Sequence, residues 1–248
     1  MSFPSNVISV LNPQIPVDQS IYETSSTMKT RLGTKVEVAD RTFRYAKAAA
    51  ASDLVAGRVS VLAADSAGFA TDTLTIASTN LGASVITCTS TSLASVDLFA
   101  EGYFYVADLT GEGHMYRIKS NSAGSTGFSV TLYDPLVASL GSASKVGIAL
   151  NPYANVTLTA TGKPMGVNPI AVTSSYYFWL QTKGLANVLH AAADAAHAPL
   201  RIAATAGALI AVTTGTLAAT GNYYAVIGQN IGRAAVDTEC GPVYINFE

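Results

Sequence analysis

The sequence predicts an all-β chain: one or more antiparallel β-sandwich or barrel-like modules behind an extended N-terminal arm. Three observations carry that expectation. First, residues Phe99 to Pro135 alternate in period two: His114, Tyr116 and Ile118 oppose Met115, Arg117 and Lys119, and Phe128, Val130 and Leu132 oppose Ser129 and Thr131. Gly-containing turns separate these runs, and connections that short join only antiparallel neighbours, so the stretch reads as a meander. Second, alternating runs recur along the chain with Gly and Pro between them, the texture of a sandwich or barrel rather than an α/β fold. Third, Pro4, Pro13 and Pro16 interrupt helix and ladder alike within the first thirty residues, and much of the rest of that stretch is Ser, Thr, Asn and Gln.

Residues 1–30 therefore read as an arm, either disordered or laid across a neighbour that repays its ordering cost. A β domain with the central meander is expected over 31–150. It begins with Lys35 to Ala46 and Leu54 to Ala64, continues through the short runs Asp72 to Ala77 and Ser84 to Thr89, and closes with Ser144 to Leu150. Asn151-Pro152-Tyr153 marks a turn into a second β-rich half, 151–248, either separate from the first or continuous with it. That half starts with Asn155 to Ala160 and a Gly162-Lys163-Pro164 turn. Its centre is Ser175 to Gly184, where Tyr176, Phe178 and Leu180 lie on one face and Tyr177 and Trp179 on the other. A strand apolar on both faces is either central in a core or part core and part subunit interface. Ala191 to Ala198 suits a short helical turn or a loop. Ala208 to Val212, Tyr223 to Ile231 and Val243 to Phe247 supply the last strands.

Charged residues make up 12% of the 248 and hydrophobic ones 49%, so solubility rests on neutral polar groups. A surface that poor in charge suits a subunit packed against others. The formal net charge of -2 and the scatter of fourteen Lys and Arg give no footprint for phosphates, so no nucleic-acid partner is expected. No apolar run approaches the roughly 18 residues of a membrane-spanning helix. No basic residue precedes Lys29 and no apolar leader stands at the start, so the expectation is a soluble product of the cytoplasm.

Candidate chemistry is sparse. His190, Asp194 and His197 would share a helical face at i, i+4, i+7 and form an acceptable ligand set for a divalent metal, but the Ala-rich segment offers the imidazoles no supporting groups. An exposed loop or short helix is the expectation, with no metal. Glu101, Asp108 and Glu112 could gather at one end of the meander, where solvated turn carboxylates are expected ahead of a calcium site. Gly111-Glu112-Gly113 lacks the third glycine and the strand-to-helix setting of a dinucleotide fingerprint and reads as a hairpin turn. Cys88 sits with Ile86 on an apolar face as a small buried hydrophobe, and two cysteines, Cys88 and Cys240, make neither a zinc site nor a disulfide framework. No Gly-x-Ser-x-Gly occurs. Neither an enzyme nor a cofactor is expected.

Several segments resemble a family of tailed-bacteriophage capsid decoration, or head-cement, proteins. They are Leu32 to Lys35 with Asp40 to Ala46, Glu101-Gly102-Tyr103 with Gly111-Glu112-Gly113, Tyr116 to Lys119, Asp134-Pro135-Leu136, Asn151-Pro152-Tyr153 and Tyr176 to Thr182, with a weaker echo in Gly228 to Phe247. Members of that family often carry a second aromatic where this chain has Lys183. The resemblance implies a non-enzymatic virion protein on the outer capsid surface, made in the host bacterial cytoplasm. Its implied partners are the major capsid protein and further copies of itself, as a dimer or trimer. Pro4, Pro13, Pro16 and Tyr22 of the arm, with Tyr177 and Trp179, are the contact residues expected from the chain. Receptor or carbohydrate binding by a fibre or adhesin module is the alternative, with Trp179 and Tyr177 as its stacking anchors if they are exposed.

Overall fold

A computed structural model describes residues 19–50, 53–63, 67–160, 162–212, 226–231 and 236–248. Pro4, Pro13 and Pro16 lie outside them. The fold is all-β: the described residues hold sixteen strands and one short 3-10 turn at Ala67–Phe69, with two curled antiparallel sheets forming half-barrels.

The chain divides into two compact units, one of residues 1–63 with 153–248 and the other of residues 64–152. The strands of 31–63, expected with the meander, belong instead to the sheet of the C-terminal half, so the meander unit is an insertion between residues 63 and 153.

The inserted unit is ordered β4-β5-β8-β7-β6-β9. Its strands are β4 (Thr75–Ile76), β5 (Val85–Thr89), β6 (Tyr103–Asp108), β7 (Met115–Asn121), β8 (Phe128–Leu132) and β9 (Lys145–Ala149). β6, β7 and β8 form the expected meander. Tyr116, Ile118, Phe128, Val130 and Leu132 enter one core with Phe69, Phe99, Phe104, Leu136 and Leu140, while Met115 and Lys119 face solvent. Period two sorts the two faces because successive side chains of a strand point to opposite sides.

The other unit is built around β12 (Tyr177–Leu189), thirteen residues long. Its first part pairs with β2 (Arg41–Lys47), from Tyr177↔Lys47 to Lys183↔Thr42, and β1 (Lys35–Val38) pairs with β2 in turn. Its second part pairs with β16 (Cys240–Asn246), from Lys183↔Asn246 to Leu189↔Cys240. Gln181 meets Val167 of β11 (Pro164–Val167), which leads on to β3 (Val59–Leu62) and β10 (Val156–Thr157). β13 (Pro199–Ile202), β14 (Leu209–Ala211) and β15 (Gly228–Asn230) complete the sheet beyond β16. β12 is buried on both faces from Phe178 to Thr182 and alternates from Lys183 onward. A bulge against β2 between Gln181 and Lys183 marks the change; the Gln181 amide donates there to the carbonyls of Lys183 and Leu185.

Burial on both faces requires two covers. Phe178 and Leu180 pack with Ala46, Leu54, Val156 and Val172, whereas Trp179 packs with Ile21, Leu32, Val36, Phe43 and Tyr45. Ile21 lies within the expected arm. The segment from Gln19 to Thr30 is one wall of this core, pinned where Ser25 and Tyr177 exchange both backbone hydrogen bonds at 2.9 and 2.8 Å. Residues 19–30, expected as part of the arm, therefore belong to the fold.

Gln19 is the clasp. Its side chain accepts from the Tyr45 hydroxyl at 2.8 Å and donates to the Glu23 carbonyl at 2.8 Å and the Tyr177 carbonyl at 3.1 Å, and its own carbonyl accepts from the Trp179 indole at 2.9 Å. Gln19→Ala leaves the buried Tyr45 hydroxyl without that acceptor and is expected to cost about 2–3 kcal/mol in urea unfolding followed by Trp179 fluorescence. A change below 0.5 kcal/mol contradicts this.

A second fastening holds β2 to the last residue of the sequence. Arg44 donates to both carboxylate oxygens of Glu248, at 2.9 and 2.7 Å, and the Thr182 hydroxyl donates to one of them at 2.8 Å. The Arg44 hydrogen bonds, aided by Thr182 and by the charges of Arg44 and Lys35, hold the Glu248 carboxyl down at about 2, from an ordinary value of 4.5. A carboxyl depressed on folding adds stability that is full above pH 4.5 and drains away as pH falls toward 2. The pair is about a quarter exposed, so solvent screening limits the loss to about 1–2 kcal/mol. Glu248→Gln is expected to lower stability at pH 7 by that amount and to flatten the stability profile between pH 4.5 and 2.

Candidate functional site

The base of the N-terminal segment borders the candidate site. Tyr22 follows the buried Ile21 and is 58% exposed, and its hydroxyl stands 3.4 Å from the Arg41 guanidinium. Arg41 shares its strand face with Phe43 and Tyr45, and its guanidinium lies 5.4 Å over the Phe43 ring. Tyr22 and Arg41 form one side of a cleft of about 340 Å³ whose other walls come from residues 56–57, 167–169 and 185–187, with Gln181 and Cys240. Arg41 is the only charged residue among those lining it. Gly57 (φ 72°) keeps the cleft open beside the thiol, because a Cβ there would stand 3.0 Å from the Cys240 sulfur. The exposed tyrosine and the arginine thus stand over a lining that mixes apolar Pro169 and Leu185 with Asn168, Gln181 and Asn187, and among the described residues no nucleophile with an aligned base lines it.

The two aromatic contact residues of β12 fall on different sides of the expectation. Tyr177 is half-buried; its ring stacks on Tyr45 at 5.9 Å and 8°, and the Lys47 ammonium lies 5.3 Å from the ring centroid. Trp179 is fully buried, edge-on to Tyr45 at 4.9 Å and 63°. As a contact residue Trp179 is thus corrected: the chain's own segment 19–30 covers it, so it offers a partner no surface.

The structure brings together two of the three residues His190, Asp194 and His197. The His190 Nδ1 lies 3.0 Å from Asp194, both side chains being buried, and Asp194 also accepts from the Ala211 amide at 2.8 Å. His197 is exposed in a left-handed backbone conformation (φ 61°) and makes no third member. The segment is neither a helix nor a wholly exposed loop: the His190–Asp194 pair ties it to β14.

Glu101, Asp108 and Glu112 also separate. Glu101 is buried and receives the Tyr133 hydroxyl and the Arg117 guanidinium, both at 2.5 Å, so it is no solvated turn carboxylate. Asp108 and Glu112 stay exposed at the β6–β7 turn, which contains Gly111-Glu112-Gly113 as expected for a hairpin. Among the described residues no group of three His, Cys, Asp or Glu is placed to hold a metal ion.

Cys88 is buried and its thiol is pushed up to about 12 by burial, whereas Cys240 is exposed on the cleft. One thiol per chain is therefore expected to react with a disulfide reagent at pH 8 in the native protein, and two in denaturant. Two reactive thiols in the native state would contradict the burial.

Sequence reasoning missed Gln19 and Arg41. Gln19 carried no signal, standing in a Pro- and Ser-rich stretch. Arg41 carried one: it occupies the apolar phase of an alternating strand, ahead of Phe43 and Tyr45.

Comparison with protein-family models, curated proteins and solved structures returns no match for this chain.

Proposed function

We propose that this chain is a structural virion protein that binds the outer surface of a tailed-phage capsid and stabilises the shell. The observation that supports this reading is an open surface cleft with the exposed Tyr22 and Arg41 on one side, held in place by a segment, Gln19 to Thr30, that is built into the core. The low charge of the chain agrees with broad shape-matched contacts. A protein that binds the assembled shell and not its dissociated subunits stabilises the shell by mass action. The major capsid protein and further copies of this chain are the partners under this reading, and its place is the capsid surface.

The carbohydrate-binding alternative loses its main anchor with the burial of Trp179, which leaves no indole face for a sugar.

Co-sedimentation with shells of the same phage lacking this protein tests the proposal. Saturation at a small-integer ratio to the capsid protein is expected, together with better survival of decorated shells on heating. Deleting residues 1–18 while keeping Gln19 should lower occupancy at least tenfold with Trp179 fluorescence unchanged. Absence of binding by the full chain overturns the reading.

A further inference from the structure

The β6–β7 turn is an exposed surface feature that the fold does not explain. Asp108, Leu109, Thr110, Glu112 and Gly113 are exposed, and the Leu109 side chain is 53% exposed at a left-handed φ of 64°. A branched residue such as leucine adopts that conformation only at a cost in backbone strain. Among the described residues no cation lies within 4 Å of its carboxylate neighbours; Asp108 accepts from the Leu109 amide at 2.7 Å. The turn is an apolar tip between two acids.

The cleft beside Tyr22 has the complementary character. Leu185 and Pro169 give it apolar surface, its volume of about 340 Å³ has room for an aliphatic side chain with flanking polar groups, and the single charge among its lining residues is the Arg41 guanidinium. Opposite charge at the mouth and an apolar socket behind it fit an acid-flanked leucine.

We propose that the β6–β7 turn of one copy inserts into the Tyr22–Arg41 cleft of a second copy, Leu109 entering the socket and Asp108 or Glu112 meeting Arg41. The two surfaces differ, so the contact is head-to-tail and closes into a ring or continues as a chain of subunits. This association concerns copies of this chain alone and stands or falls separately from binding to a shell.

Cys240 supplies the test, since its thiol lines the cleft while Cys88 is buried. Full-length Thr110→Cys protein, oxidised without any capsid present, is expected to give disulfide-linked dimers and higher species on a non-reducing gel. These should vanish in the Thr110→Cys, Cys240→Ser double variant. Charge exchange gives a second readout by sedimentation: Arg41→Glu is expected to weaken self-association about tenfold, and Asp108→Lys with Glu112→Lys in the same chain to restore it. Thr110→Cys protein that stays monomeric, or that links only within one chain, overturns the proposal. Self-association unaffected by Arg41→Glu overturns it equally.

Discussion

The burial of β12 on both faces is the constraint from which the larger unit follows. A thirteen-residue strand whose first part carries Phe178, Trp179 and Leu180 needs an apolar cover on each side. One cover comes from elements flanking it in the sheet. The other comes from Ile21, Leu32 and Val36, near the opposite end of the chain. Trp179 sharpens the demand, because its buried indole N–H must find an acceptor. The acceptor is the Gln19 carbonyl, and the same residue's side chain satisfies the Tyr45 hydroxyl. Docking of the N-terminal segment is thus a condition of the core.

The docked segment 19–30 also places Tyr22 at the rim of a cleft. The bulge that ends the two-sided burial of β12 also lets its second part turn to β16, which brings Cys240 and Leu185 to the same cleft. One irregularity in one strand thereby separates the core-forming from the surface-forming half of the element.

The sequence was most legible where alternation was clean. The β6–β8 meander, the buried Cys88 and most strands of both units follow from period two and turn residues. It was least legible where partners are remote. The insertion of residues 64–152 between two parts of one sheet left no local mark, because β3 and β11 look like any other short apolar runs until paired. β11 itself begins at Pro164, read as part of a turn, and β12 continues five residues past Gly184, read as its end. The site divided in the same way: Tyr22 and the exposed β6–β7 acids were visible as types, but Gln19 and the His190–Asp194 pair depend on burial that only the fold creates.

Residues 19–30 are an integral part of the core that the two-sided burial of β12 requires. Hydrogen exchange resolved by residue on the free protein is the decisive measurement. The Ser25 and Lys29 amides, which donate to the Tyr177 carbonyl and the Tyr45 hydroxyl, are expected to be protected. Ser25 and Lys29 amides that exchange at the rate of an unstructured peptide in the free protein would contradict it.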